Sequence, residues 1–281
     1  MAIKTKNYFL TIALVLGLLL ANLFPFTTLK AKAETFSSDN IETYSTRVES
    51  ETIYYTSRES EYKEITNGVP LYSLSGNLTN GCGAAAGAIV VGFYDKYYEN
   101  LIPNYTAYFP ATGKYKMNDL TYVPALMSEL YSLMRINVDD VGVSETDCLN
   151  GLRSYVQSKN LNINYSSIKS SSQFNLSAFS SAINANRPVL LFSEENAVCV
   201  FTNTTDREVI TKTIVSENHI YVGYGIHTVR YYNGNTNFRT DTYIRVATGW
   251  SATNNGFVLV SSTASTVSNS WFVNGYAVTI S

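Results

Sequence analysis

Apolar and polar positions divide the chain into a helical first half and a strand-rich second half. From Gly83 to about Tyr98 apolar side chains are dense enough for a buried helix. In "NDLTYVPALMSELYSLM", Leu120, Val123, Met127, Leu130 and Met134 fall on one face at helical spacing, with Pro124 tolerated near the start. "SETDCLNGLRSYVQSKN" opens with the spacing of a capping box, Ser144 to Asp147, and Cys148, Leu152 and Tyr155 line one face. A fourth helix is predicted over about 176–186, ending at "NRP". Beyond it, "PVLLFS", "NAVCVFT", "EVITKTIV", "HIYVGYGI", "HTVRYY", "TYIRVATGW", "GFVLVSS" and "WFVNGYAVTIS" read as strands separated by Asn, Gly, Thr and Ser turns. Helices first and strands second predict an α+β fold with segregated layers, not βαβ alternation. No internal repeat is present.

The N-terminal region follows a different pattern. Lys4 and Lys6 precede an apolar run from about Tyr8 to Phe26, and "LKAKAETF" follows. That order predicts a secretory signal peptide over 1–33, cleaved after Ala33. An uncleaved anchor is the alternative, because the run is nearly long enough to span a bilayer; the A-x-A site favours cleavage. Residues 34–64 are polar and charged and read as a linker or short pro-segment, with one edge strand around "TIYYT". The compact domain is expected over 65–281.

Composition narrows the function classes. A chain of 281 residues holds one large domain or two small ones. Twenty basic residues less the four lysines of 1–33 leave 16 against 22 acidic ones, a net charge of −6 for the secreted form. No basic run or patch exists, which argues against a nucleic-acid partner. After signal cleavage no apolar run is left to engage a membrane. Charged residues are only 15% of the chain and tyrosines number 22, which suggests an extracellular β-rich surface and, by association, a bacterial exoprotein of Gram-positive type. Three cysteines are an odd number and too few for a disulfide scaffold. Neither they nor the two histidines have zinc-ligand spacing, and no phosphate-binding loop occurs, so no metal or organic cofactor is implied.

The candidate chemistry centres on Cys82. "NLTNG" is loop chemistry and "CGAAAGAIVVGFY" enters a helix, so Cys82 lies at a helix N-terminus. Unpartnered N–H groups and the helix dipole favour negative charge there. They lower a thiol's pKa from about 8.5 and are able to bind an oxyanion. Cys148, on an amphipathic helix face, and Cys199, on a strand face, read as core residues, with a disulfide between them as the alternative. His219, at the head of "HIYVGYG", is the candidate base, and His227 is the fallback.

These segments resemble the papain-like bacterial peptidases related to the double-glycine-leader (bacteriocin-processing) family. "NGCGAAAGAIVVGFYDKYYENLI" is similar to the family's nucleophile segment, "NRPVLLF" to its Arg-Pro strand, "NHIYVGYGI" to its histidine strand and "TYIRVATGW" to the later strand bearing the third catalytic residue. The resemblance spans about 66–260. It implies a papain-like fold, an N-terminal helical lobe carrying the nucleophile helix packed on a C-terminal antiparallel β-sheet lobe, with a cleft between them. It also implies a secreted cysteine peptidase (thiol protease, a hydrolase) with Cys82 as nucleophile, His219 as general base and then acid, and a peptide or protein as substrate. The sequence departs from the family in three places. Ala84 and Ala85 stand where Pro-Thr/Ser is usual. Gly76 stands where a glutamine donates to the oxyanion, leaving Asn77 or Asn80 as substitutes. Thr248 stands at the position of the histidine-orienting residue, with Asn218, Asp241 and Asn254 as further candidates. The incomplete triad keeps a second expectation open, a catalytically impaired member serving as an extracellular binding or interaction module.

Overall fold

A computed structural model describes residues 46–281 except 76, 117–118, 139–141, 171–172, 216, 251–253 and 266–271. The expected signal peptide and Gly76 lie outside the described residues. The described residues form one compact unit.

Four helices are present among the described residues: α1 (Cys82–Asp95), α2 (Tyr122–Leu133), α3 (Glu145–Ser158) and α4 (Leu176–Asn184). Side-chain caps start two of them. Ser144 Oγ accepts the Asp147 N–H at 3.0 Å, and Asn175 Oδ1 accepts the Ala178 N–H at 3.0 Å. α1 is buried from Gly83 to Asp95. Its glycines let neighbours approach: a Cβ on Gly87 would lie 2.8 Å from the Met134 side chain. Leu120, expected on the face of α2, lies before the helix and is 95% exposed; Val123, Met127, Leu130 and Met134 are buried as expected.

The main sheet has ten strands, antiparallel at every pairing given. They are β1 (Thr46–Tyr54), β2 (Ser57–Glu64), β5 (Ile163–Ser167), β8 (Val189–Ser193), β9 (Asn196–Asn203), β10 (Arg207–Val215), β11 (His219–Asn233), β12 (Thr236–Ala247), β13 (Asn255–Ser262) and β14 (Phe272–Ile280). The order is β1-β10-β9-β13-β12-β11-β8-β14-β5, and β2 also pairs with β11. Two short pairs stand apart, β3 (Tyr108–Phe109) with β4 (Lys114–Tyr115) and β6 (Lys169–Ser170) with β7 (Gln173–Phe174).

"HIYVGYGI" and "HTVRYY" join into the single strand β11. Gly223 and Gly225 flank a register shift there, so the glycines make an irregularity in the ladder and not a turn. The first half of β11 pairs with β8 and the second half with β2. Its first seven residues are all buried, as in a strand covered on both faces, and burial alternates from Ile226 onward.

The expected division into a helical lobe and a β lobe does not hold. Among the described residues strand outnumbers helix, 43% to 23%, and strands are not confined to the second half. β1 and β2 lie before α1, and β5 lies between α3 and α4, yet all three belong to the main sheet. Residues 46–64, read from the sequence as part of a linker, thus supply two sheet strands. The physical reason is burial. α1 is buried at every position from Gly83 to Asp95, so it needs apolar neighbours on all sides. The apolar faces of the helices share one continuous core with the sheet, from Ile89 and Leu130 to Leu190 and Val222.

A second, smaller core lies where the sheet turns back on itself. β1 pairs with β10 and β2 with β11, and only Tyr55 and Thr56 connect β1 to β2. Ile53, Tyr55, Cys199, Ile210, Val229, Tyr231 and Tyr243 are buried together there. Charge is buried beside them. Glu208, fully buried, receives Arg58 Nη2 at 2.9 Å and the Tyr231 hydroxyl. Asp241, also fully buried, accepts from Arg239 Nε at 2.8 Å and from Ser262 Oγ at 2.6 Å.

Candidate active site

Cys82 is the first residue of α1 and Gly81 is its N-cap, with no side-chain cap. The N–H groups of a helix's first turn have no partner within the helix, so this end offers donors and a positive dipole end to its surroundings. Gly81 is required by space. A Cβ there would lie 2.6 Å from Leu74 Cδ1 and 2.7 Å from the Leu78 carbonyl oxygen. The Leu74 side chain and the Leu78 carbonyl thus lie against the helix start, and Cys82 is half-buried at the wall of a cleft of about 760 Å³.

His219, the first residue of β11, lines the same cleft. Its Nε2 lies 2.7 Å from the backbone carbonyl oxygen of Thr248. A carbonyl only accepts, so Nε2 carries the proton and Nδ1 is the basic nitrogen of the neutral ring. The ring packs against Tyr221, 4.4 Å between centroids, and Trp250, 5.0 Å. Burial holds the imidazole down to about 4, opposed by the Thr248 carbonyl, which favours the protonated ring. At neutral pH this histidine is uncharged and is able to accept a proton.

The turn after β12 ties these two halves together. Thr248 Oγ1 accepts the Trp250 N–H at 3.1 Å. The Gly249 carbonyl accepts the Leu74 N–H at 2.7 Å, and the Trp250 carbonyl accepts the Ser73 hydroxyl at 3.0 Å. Gly249 has φ +77°, and a Cβ on it would stand 3.1 Å from Ala85 Cβ in the first turn of α1. The carbonyl that holds His219 is therefore locked against the helix that presents Cys82.

Other residues singled out in the sequence fall in different places. Thr248 meets His219 through its main-chain carbonyl, while its hydroxyl serves Trp250. Asn80 lines the cleft, in a left-handed backbone conformation (φ +56°), and donates from Nδ2 to Asn137 Oδ1. Asn77 is exposed and is not among the cleft-lining residues. Asn218 lines the cleft and is exposed. The Asn254 carbonyl accepts the Thr248 N–H, and its side chain reaches Leu71. Asp241 belongs to the second core, with Arg239 and Ser262. His227 is fully buried there, stacked on Tyr62 at 3.8 Å, with no hydrogen-bond partner on either ring nitrogen. Cys148 and Cys199 are buried and not bonded to each other. Burial pushes the Cys199 thiol up to about 12 and the Cys148 thiol higher still.

Sequence reasoning did not find Ser193, Glu194 and Glu217, which also line the cleft. Ser193 ends β8 and pairs with His219 across the ladder, Glu194 follows it, and Glu217 stands two residues before His219. "SEN" before the histidine strand signals Glu217 alone, and Ser193 and Glu194 have no sequence signal of their own. No group of three or more His, Cys, Asp or Glu side chains among the described residues is arranged to hold a metal ion. Comparison with protein-family models, with curated proteins and with solved structures gave no match. The functional reading therefore stands on the geometry of this cleft.

Proposed function

We propose that this cleft is the reaction centre of a cysteine-dependent hydrolase that cleaves peptide or isopeptide bonds. The observation that carries the reading is the Nε2 bond of His219 to the Thr248 carbonyl, in the cleft that Cys82 lines at a helix start. With Nε2 committed, Nδ1 takes the thiol proton while Sγ bonds to the substrate's carbonyl carbon. The carbonyl oxygen becomes an oxyanion beside the first-turn N–H groups of α1. When the C–N bond breaks, the proton on Nδ1 goes to the leaving amine and a thioester is left on Cys82. Water, deprotonated by Nδ1, then releases the acid and restores the thiol.

The second reading is a binding module on the same scaffold. One observation favours it: the imidazole is oriented by a neutral carbonyl, so an imidazolium would have no carboxylate beside Nε2. Iodoacetamide separates the two readings, because Cys148 and Cys199 are buried and only Cys82 is accessible. Rapid carboxamidomethylation of Cys82 at neutral pH, lost in His219→Ala, is the expected result. Modification at the rate of an ordinary thiol, unchanged in His219→Ala, would exclude the hydrolase reading.

A further inference from the structure

The walls of the cleft carry charge of one sign. Glu145, Glu194 and Glu217 line it, and no lysine or arginine is among the described residues lining it. The three come from separate elements: Glu145 opens α3, Glu194 follows β8, and Glu217 precedes β11. The charge of Glu145 is fixed in place by two neutral donors, the Tyr276 hydroxyl to Oε1 and Asn274 Nδ2 to Oε2. Glu194 and Glu217 are exposed at the cleft. Among the described residues, no ion pair engages any of the three.

Among the described lining residues no cationic side chain offsets them, and the N-terminus of α1 adds only a partial positive charge. His219 is 5% exposed, and its Nε2 proton goes to Thr248, so it presents an acceptor and not a cation. Apolar side chains line the same cleft as the acids: Val143, Phe192, Ile220 and Val273. A lining that combines apolar side chains with carboxylates matches a long aliphatic stem ending in a cation. An anionic side chain would be repelled, and a purely apolar one would leave the carboxylates facing it without a partner.

We propose that the Cys82–His219 cleft selects a cationic peptide segment, with lysine or arginine next to the bond attacked. This rests on the hydrolase reading above and names its substrate class. The test uses methanethiosulfonate reagents that transfer a small group to Cys82: one carries trimethylammonium, one sulfonate, and one is the neutral methyl compound. Rates are measured by mass spectrometry on the whole protein and divided by those for a small free thiol in the same buffer. The cation-to-anion ratio at Cys82 is expected to exceed the free-thiol ratio by about tenfold or more at low ionic strength. Added salt should shrink that excess, and the Glu194→Gln/Glu217→Gln double variant should bring it close to the free-thiol value. A ratio equal to that of the free thiol, or one the double variant leaves intact, would overturn the selection. If the neutral reagent still modifies Cys82, the hydrolase reading survives that result. Failure of all three reagents to modify Cys82 would overturn both.

Discussion

Replacing Gly249 with alanine probes the turn that joins the histidine to the cysteine helix. The backbone there has φ +77°, which costs an L-residue roughly 1–2 kcal/mol. The added Cβ would also stand 3.1 Å from Ala85 Cβ, so one of the two segments must give by a few tenths of an ångström. Ala85 is fully buried in α1, so the turn is the part that moves. The turn carries the Thr248 carbonyl, and its displacement loosens the 2.7 Å bond that orients His219. Stability should fall by about 1–2 kcal/mol, seen as a loss of roughly 2–8 °C in thermal denaturation. The alkylation rate of Cys82 should fall further than stability alone explains, on the order of tenfold to a hundredfold, because misplacement of a catalytic group by about 1 Å carries that cost. Ala85→Gly in the same chain removes the contact and should restore part of the rate, a coupling that a double-mutant cycle measures. A Tm loss of the expected size with an unchanged alkylation rate would show that the turn supports the fold without placing the imidazole. An unchanged Tm would refute the strain argument itself.

Further outcomes follow from other parts of the molecule. Because His219 is held down to about 4, the acid limb of the Cys82 alkylation profile attributable to this histidine should lie near pH 4; a limb at the ordinary histidine value of about 6.5 would contradict the buried, neutral ring. His227, also held down to about 4 by burial and by Arg58 and Arg245, binds a proton less readily folded than unfolded. Its contribution is therefore present above pH 6.5 and lost as pH falls through about 4, on the order of 3 kcal/mol, and urea titrations should show His227→Phe flattening that slope. Arg58→Ala strips buried Glu208 of its cation and should destabilise the protein by about 3–5 kcal/mol in denaturant unfolding, whereas a residue in an unattached linker would change it by less than about 0.5 kcal/mol. Asp95→Ala leaves the buried N–H groups of Ile102 and Ala107 without their acceptor and should cost roughly 2–6 kcal/mol by the same measurement, at about 1–3 kcal/mol for each.

Sequence alone determined the local features whose causes are local. Apolar density and helical spacing placed the four helices seen among the described residues, Ser144 and Asp147 announced the start of α3, and the loop-to-helix change at "NGCG" put Cys82 at the head of α1. Alternating runs located the later strands, and the turn chemistry before "HIYVGYG" placed His219 at a strand head. Tertiary structure decided what depends on partners distant in the chain. Residues 46–64 are polar and alternate weakly because most of their side chains meet solvent. Only their pairing with β10 and β11, more than 150 residues away, makes them sheet. The two strands read around "GYG" are one because β8, β2 and β12 satisfy the backbone through the irregularity. The partner of His219 could not be read from side-chain identity, since it is a main-chain carbonyl, a group every residue carries. Its position depends on Gly249 lying against Ala85, 164 positions away in sequence and in contact only once helix and sheet share a core.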